Sequence, residues 1–292
     1  MHKRIGIDVG GSKIAAAAFS PAGEILFERR VATPTDYLDI VASVAELSRQ
    51  AGEGRIGIGA PGSSTPDTGL WRNSNITACN GKPFHGDLER AIGRAIRTEN
   101  DANCFALSEA ISGAGKGKSV VAFFTIGTGL GGGLVVDGKL LRGAHGEAAE
   151  FGHMSLPWMT ELDWPPYPCF CGKAGCVEMY VSGTGLRQDW LRVHGATLGA
   201  PEIVARARLG DALSSAALER LQTRFARVIA QIVNAVDPDI FVMGGGMAEL
   251  PELVEQMPER VARYSFSGTV KPLIVRAAFA DSGVRGAALL WD

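Results

Sequence analysis

One layout occurs twice in this chain of 292 residues and constrains its fold more than any other feature. Residues 4–9 place Ile5 and Ile7 at alternate positions and read as a buried strand. Asp8-Val9-Gly10-Gly11-Ser12-Lys13 turns the chain. Ile14–Phe19 returns as a second strand, and Gly23 closes a hairpin into a third, Ile25–Val31. Further on, Val120–Ile126 reads as a strand, Gly127–Gly133 as a glycine loop and Leu134–Val136 as a strand. Asp137-Gly138 is a hairpin turn, and Lys139–Leu141 returns. Both sets are hairpin meanders, not strand–helix–strand units. The repeat predicts an internal duplication, with two mixed α/β lobes that each open the same way.

The intervening stretches fill in the lobes. Residues 36–51 carry Leu38, Val41, Val44, Ala45 and Leu47 at helical spacing. Arg55–Ala60 is a short strand, and 63–83 a polar loop with Asn73, Asn75 and Asn80. Asp87 reads as the N-cap of a helix running to about Gly93. Ala95–Thr98 is a strand, Glu99-Asn100-Asp101-Ala102-Asn103 follows at its carboxyl end, and Phe105–Ile111 is helical. The flexible stretch Gly113–Lys118 marks a boundary. The expected domains are therefore 1–117, joined by a returning helix within 280–292, and 118–279. In the second, Thr184 reads as the cap of a helix over 184–194. A long amphipathic helix spans 213–236, with Leu218, Leu221, Phe225, Val228, Ile229, Ile232 and Val236 on one face. A strand over 239–243 stops at Gly244-Gly245-Gly246. A helix over 250–263, a strand over 273–278 and a last helix over 283–290 complete the chain.

Charge and composition exclude several classes. The formal net charge is −2, so no basic field invites nucleic acid or an anionic membrane. No apolar run approaches the length of a membrane span, and the N-terminal segment enters a strand without a signal-peptide pattern. Five cysteines without a secretory context fit a reducing compartment, with the cytoplasm as the expectation.

Three of those cysteines, Cys169, Cys171 and Cys176, fall within one short segment, with Gly172 and Gly175 between them to permit tight turns. Three soft ligands call for a fourth in the closed tetrahedral site that structural zinc prefers. His153 is the candidate. The plainer alternative is three core cysteines and a surface histidine. Carboxylates Glu147, Glu150 and Glu178 bracket the same stretch.

The glycine turns suit phosphate, which needs backbone N–H groups at close approach. Either alone reads equally as a tight hairpin; as an equivalent pair they point to phosphate. Gly127, Gly129 and Gly132 also fit a dinucleotide fingerprint, but a strand follows where that fingerprint must open a helix. Asp101 stands between a strand and a helix. It is either a helix cap or the carboxylate that phosphoryl transfer to a hydroxyl requires. Asp8 is a second carboxylate, suited to Mg²⁺ or its water shell.

The pattern G-x-x-G-x-x-x-E-x-G-H over 143–153, followed by C-x-C-G-x-x-G-C-x-E over 169–178, resembles the zinc signature of the ROK family of sugar kinases and repressors. The resemblance runs from Gly6 to the C-terminus. It implies a two-lobed actin-like ATPase (ribonuclease H-like) fold with duplicated domains and a cleft between them. It implies ATP and Mg²⁺ as cofactors, and a structural Zn²⁺ on His153, Cys169, Cys171 and Cys176. Asp101 becomes the catalytic base, and Asn75, Asn100, Asp101, Glu150, His153 and Glu178 the sugar contacts. Asn75 is preferred to Asn73 by its spacing from Gly81-Lys82-Pro83, and Glu147 braces the loop. The phosphate loops become Gly6-Ile7-Asp8-Val9-Gly10-Gly11-Ser12-Lys13 and Gly127-Thr128-Gly129-Leu130-Gly131-Gly132-Gly133-Leu134, with Gly245 beneath the adenosine. Ser12 stands where the family usually has threonine. The implied activity is ATP-dependent phosphorylation of a hexose at its 6-hydroxyl, with N-acetyl-D-glucosamine preferred over glucose or fructose. A homodimer without nucleic-acid or membrane partners goes with it. The repressor alternative is disfavoured because only five residues precede Gly6, leaving no room for a DNA reader.

Overall fold

The computed structural model describes residues 3–291. In chain order, β1 (Arg4–Val9), β2 (Lys13–Phe19), β3 (Ile25–Ala32), α1 (Tyr37–Ala51), β4 (Arg55–Ala60), β5 (Ser63–Ser64), β6 (Trp71–Arg72), α2 (Phe84–Ile92), β7 (Ile96–Asn100) and α3 (Asp101–Ile111) come first. They are followed by β8 (Val120–Ile126), β9 (Leu130–Val136), β10 (Lys139–Leu140), α4 (Gly183–His194), α5 (Ala200–Arg208) and α6 (Ala212–Val236). The chain ends with β11 (Ile240–Gly244), α7 (Pro251–Val254), α8 (Met257–Ala262), β12 (Ile274–Arg276) and α9 (Ser282–Ala288).

The duplication is visible in the two main sheets. One has the order β3-β2-β1-β4-β7 and the other β10-β9-β8-β11-β12. In the first, β1, β2 and β3 form an antiparallel meander and β4 and β7 add in parallel; in the second, β9 and β10 pair antiparallel and β11 and β12 add in parallel to β8. Two compact units result. The first comprises the chain up to Gly117, Gly133–Ala149 and the chain from Ala278; the second comprises Lys118–Gly132 and Glu150–Ala277. Residues 133–149, expected within the second domain, thus group with the first unit.

In the first unit, α1 covers one sheet face with Tyr37, Ile40, Val41, Val44 and Leu47. Each such burial stabilises by ~1.5–3 kcal/mol. Asp36 caps this helix by accepting from the Leu38 N–H, which turns Leu38 to solvent and corrects its assignment to the apolar face. Helix α2 begins at Phe84 after Pro83, so Asp87 is not its cap. Asp87 lies one turn inside and accepts from the Tyr37 hydroxyl at 2.7 Å. The other sheet face receives α9, and there glycine is obligatory. A Cβ on Gly6 would lie 1.9 Å from the Val284 carbonyl oxygen, and one on Gly57 1.8 Å from that of Ala287. Gly286 faces α3 as closely, its Cβ falling 1.6 Å from the Cys104 carbonyl oxygen.

In the second unit, the buried strands β8 and β11 are backed by α6, whose face Leu221, Phe225, Val228, Ile229 and Ile232 is buried. Helix α4 is capped by the Ser182 hydroxyl, which accepts from the Gly185 N–H, and not by Thr184. The expected helix over 250–263 is instead α7 and α8. Pro251 and Pro258 each sit in a first helical turn, and Pro258 has no N–H with which to continue α7. Buried Arg224 bonds Asp163 at 2.7 Å and Asp189 at 2.6 Å, fastening the segment before the cysteines to α6. Among the described residues no helix is long and apolar enough to cross a membrane.

Candidate active site

Asp101 opens α3, and its neighbour frees it from the cap. The Asn100 side chain accepts from the N–H groups of Ala102 and Asn103, so Asn100 caps the helix. The Asp101 carboxyl takes one bond from the Ala102 N–H. Burial raises its pKa. Behind it, Glu99 accepts from Asn100 N–H and the Asn103 amide with one oxygen and from Arg142 at 2.5 Å with the other. Asp8, at the end of β1, has its pKa raised to about 7 by burial and then by Asp101, against the pull of Lys13. A Cβ on Gly283 would sit 2.9 Å from its carboxylate, so α9 shields this acid. Two carboxyls, one lysine and little water form a setting short of positive charge, which a hard cation suits.

The turn after β1 is held by Gly10 N–H to Lys13 O at 2.9 Å and by the Thr33 hydroxyl to Gly10 O at 2.6 Å. Gly11, Ser12 and Lys13 are exposed at its tip. Gly6, Ile7 and Val9 lie within β1, Ile7 and Val9 fully buried and Gly6 against α9. These three, expected at the nucleotide, occupy packing positions in β1. Close by, the Asn75 amide oxygen would stand 3.9 Å from a Cβ on Gly11. Asn75 is exposed on a loop that Ser74 and Asn80 brace by reciprocal 2.9 Å bonds. Asn73 spends its position on a left-handed turn, φ 57°. Glu147 pairs with Arg72 at 3.0 Å, bracing the same loop.

In the second unit, His153 and the three cysteines converge. Their ligand atoms all lie within 4.8 Å of one another. The Cys171 and Cys176 sulfurs are 3.5 Å apart, and His153 Nδ1 is 3.7 Å from Cys169 Sγ. The edge of a tetrahedron with ~2.3 Å metal–sulfur bonds is ~3.8 Å, so the group fits zinc. Burial, together with its contacts to Cys171 and Cys169, pushes the Cys176 thiol up to about 12. Thiols so crowded ionise together only beside a cation. Gly172 and Gly175 both adopt left-handed φ near 84°, which closes the knuckle. Val177 N–H bonds Met154 O at 2.9 Å, tying the turn that ends in His153 to the turn that carries Glu178. Glu150 begins the first of these turns.

Glu178 accepts from Leu130 N–H at 2.9 Å, and a Cβ on Gly129 would strike its carboxylate at 2.5 Å. Only Gly127–Gly129 form the loop; β9 starts at Leu130. Leu130 and Leu134 are buried, Gly133 packs against Ala106, and Gly131 and Gly132 lie in the strand. Gly245 holds a left-handed turn, φ 84°, against Ile126, while Gly246 and Met247 reach the neighbouring pocket. Leu130–Leu134 and Gly245 are the residues expected at the nucleotide, and these are their places in the fold. The pocket, about 660 Å³, is lined by Gly127, Thr128, Gly183, Thr184, Arg187, Pro201, Val204, Arg208, Gly246, Met247 and Leu250, among others. Gly183 and Thr184 N–H groups hold Gly127 and Thr128 carbonyls at 2.8 and 3.1 Å. The sequence reading gives α4 as a helix over 184–194 but misses α5 and the part both play in lining this pocket; the capping run Ser182-Gly183-Thr184-Gly185 was the available signal.

A sequence model described as the ROK family matches residues 4–292. The chain is 40% identical to an N-acetyl-D-glucosamine kinase of Escherichia coli O127:H6 over 296 residues, covering 98% of each chain. Among solved structures, a ROK hexokinase from Thermus thermophilus is 32% identical with a TM-score of 0.87, covering 98% of this chain and 97% of that one. A ROK family glucokinase from Streptomyces griseus, in complex with glucose and AMPPNP, is 29% identical with a TM-score of 0.78, covering 99% and 98%. The fold is the actin-like ATPase fold shared by these sugar kinases.

Proposed function

The chain belongs to the ROK family, and on that premise we propose that it phosphorylates N-acetyl-D-glucosamine at its 6-hydroxyl with ATP. The observation that carries the acceptor is the full-length likeness to N-acetyl-D-glucosamine kinases. The site supports the chemistry. Asp101 is relieved of helix capping by Asn100, and its raised pKa suits a base that takes a hydroxyl proton during phosphoryl transfer. Magnesium, when bound, neutralises charge on the triphosphate, and Asp8 is the residue assigned to it or to its water. Asn75 and Asn100 serve as sugar contacts in the first unit, and Glu150, His153 and Glu178 in the second. His153 offers Nδ1 to the metal and keeps Nε2 for a hydroxyl. With four protein ligands the metal has no open position, so its role is structural. The exposed turn Gly10–Lys13, the loop Gly127–Gly129 and the pocket beside it receive the nucleotide. The free cysteines fit a cytoplasmic protein, the slight negative charge fits one without nucleic-acid or membrane partners, and the homodimer follows from the family resemblance alone.

A panel of N-acetyl-D-glucosamine, glucose and fructose with Mg²⁺ and ATP tests the reading. N-acetyl-D-glucosamine is expected to give the highest kcat/KM. A higher value for glucose or fructose overturns the acceptor and leaves the kinase class standing. Sedimentation of the purified protein reads the dimer.

A further inference from the structure

Arg187 and Arg208 both line the 660 Å³ pocket of the second unit. Neither guanidinium has a hydrogen-bond or ion-pair partner among the described residues. Arg208 ends α5, where the helix dipole alone favours a cation. Arg206 shares that position but is engaged by Glu202 at 2.8 Å, whereas Arg208 is left to the pocket. Arg187 stands in the second turn of α4. The remaining side chains are apolar, such as Val204, Met247 and Leu250, or threonine hydroxyls; no Asp, Glu, Asn or Gln lines the cavity.

That inventory bears on the base of the nucleotide. A guanidinium donates and never accepts. The exocyclic amine of adenine donates too, and no carboxylate or amide side chain here takes its proton. Guanine and hypoxanthine present O6 and N7, two acceptors that match the guanidinium fork. We propose that Arg187 and Arg208 read the base, so that this enzyme takes 6-oxopurine triphosphates, GTP and ITP, as phosphoryl donors alongside ATP. This rests on the kinase reading of the site. In the step, the bond from the γ-phosphorus to the β,γ-bridging oxygen breaks as a bond to the sugar hydroxyl oxygen forms. The hydroxyl proton passes to Asp101, and GDP leaves with the bridging oxygen.

The test measures kcat/KM for ATP, GTP and ITP with saturating N-acetyl-D-glucosamine in the wild type, Arg187→Ala and Arg208→Ala. Calorimetric titration of ADP and GDP runs in parallel and needs no turnover. GTP and ITP are expected at no less than about a tenth of ATP's kcat/KM. At least one substitution should cut the 6-oxopurines ~5–150-fold more than ATP, the range for a lost bidentate contact. GTP below a tenth of ATP, or equal losses for all three donors, overturns the proposal; equal losses mean the arginines serve phosphate or ribose. If no donor phosphorylates the sugar, the kinase reading fails, and calorimetry still decides the base. GDP binding within about tenfold of ADP, and weakened more than ADP by a substitution, sustains the proposal; any other result overturns it.

Discussion

Replacing Asp8 by Asn should make the ligand-free protein more stable at neutral pH while crippling its activity. Asp8 keeps its proton up to about pH 7 in the folded chain, against 3.8 for the free side chain. Its stabilising contribution is therefore fully present below about pH 3.8 and is lost as pH rises through about 7. Three pH units at ~1.4 kcal/mol each set a ceiling of ~4 kcal/mol for ionising this acid between α9 and Asp101; ~2–4 kcal/mol is the working range. Asn fills the same volume with no charge to desolvate. Urea unfolding of wild type and variant without nucleotide or magnesium, at pH 5 and pH 8, measures the difference. The gain should be large at pH 8 and shrink toward pH 5. A variant no more stable than wild type at pH 8, or one offset equally at both pH values, refutes the reasoning. In the proposed role of Asp8, a bound cation would supply the missing positive charge and offset this cost.

Three further substitutions have definite expectations. Asp101→Asn should retain sugar binding by calorimetry and lose ~10²–10⁴-fold in kcat, since the amide takes no proton. Glu109→Ala removes a fully buried carboxylate that accepts from the N–H groups of Ala114, Ala278 and Phe279 and from the Ser282 hydroxyl. Each orphaned donor costs roughly 1–3 kcal/mol, so calorimetric Tm should fall by ~10 °C or more, and a fall of only a few degrees contradicts the network's importance. Cys176→Ser should lose the metal by elemental analysis and raise the sugar KM strongly in a chain that still folds; an unchanged KM in the metal-free variant means that the metal does not position Glu150 and Glu178.

Strand patterning made the two sheets readable because a repeated meander leaves its trace in alternation and in paired glycine turns, both local signals. The Cys and His spacing made the metal group readable for the same reason. Helix starts were less legible. Pro83 and Ser182 outcompeted Asp87 and Thr184 because a cap is chosen by backbone geometry as well as by side-chain type. The packing role of the glycines was least legible. Nothing around Gly6 in the sequence marks the helix it packs against, because α9 lies nearly the whole chain away. The pocket residues Arg187, Pro201 and Arg208 carried no motif, since the pairing of α4 with α5 is a tertiary fact.

Gly129 shows what such a tertiary fact does for the site. The space its missing Cβ leaves is occupied by the carboxylate of Glu178, which also accepts from the Leu130 N–H. One Glu178 oxygen is thereby spent on the glycine loop, leaving the other for a sugar hydroxyl. Glu178 follows Cys176 within one short turn, and that turn is bonded back to Met154, the residue after His153. The metal ligands, the proposed sugar carboxylate and the loop proposed for phosphate therefore form a continuous run of contacts within the second unit. A sugar that draws on Glu178 pulls on the same carboxylate that seats the loop. A shift of the loop moves the carboxylate in return. Under the proposed roles of Glu178 and the loop, coupling between acceptor and donor needs no element beyond these residues, because the space at Gly129 is already taken by the carboxylate.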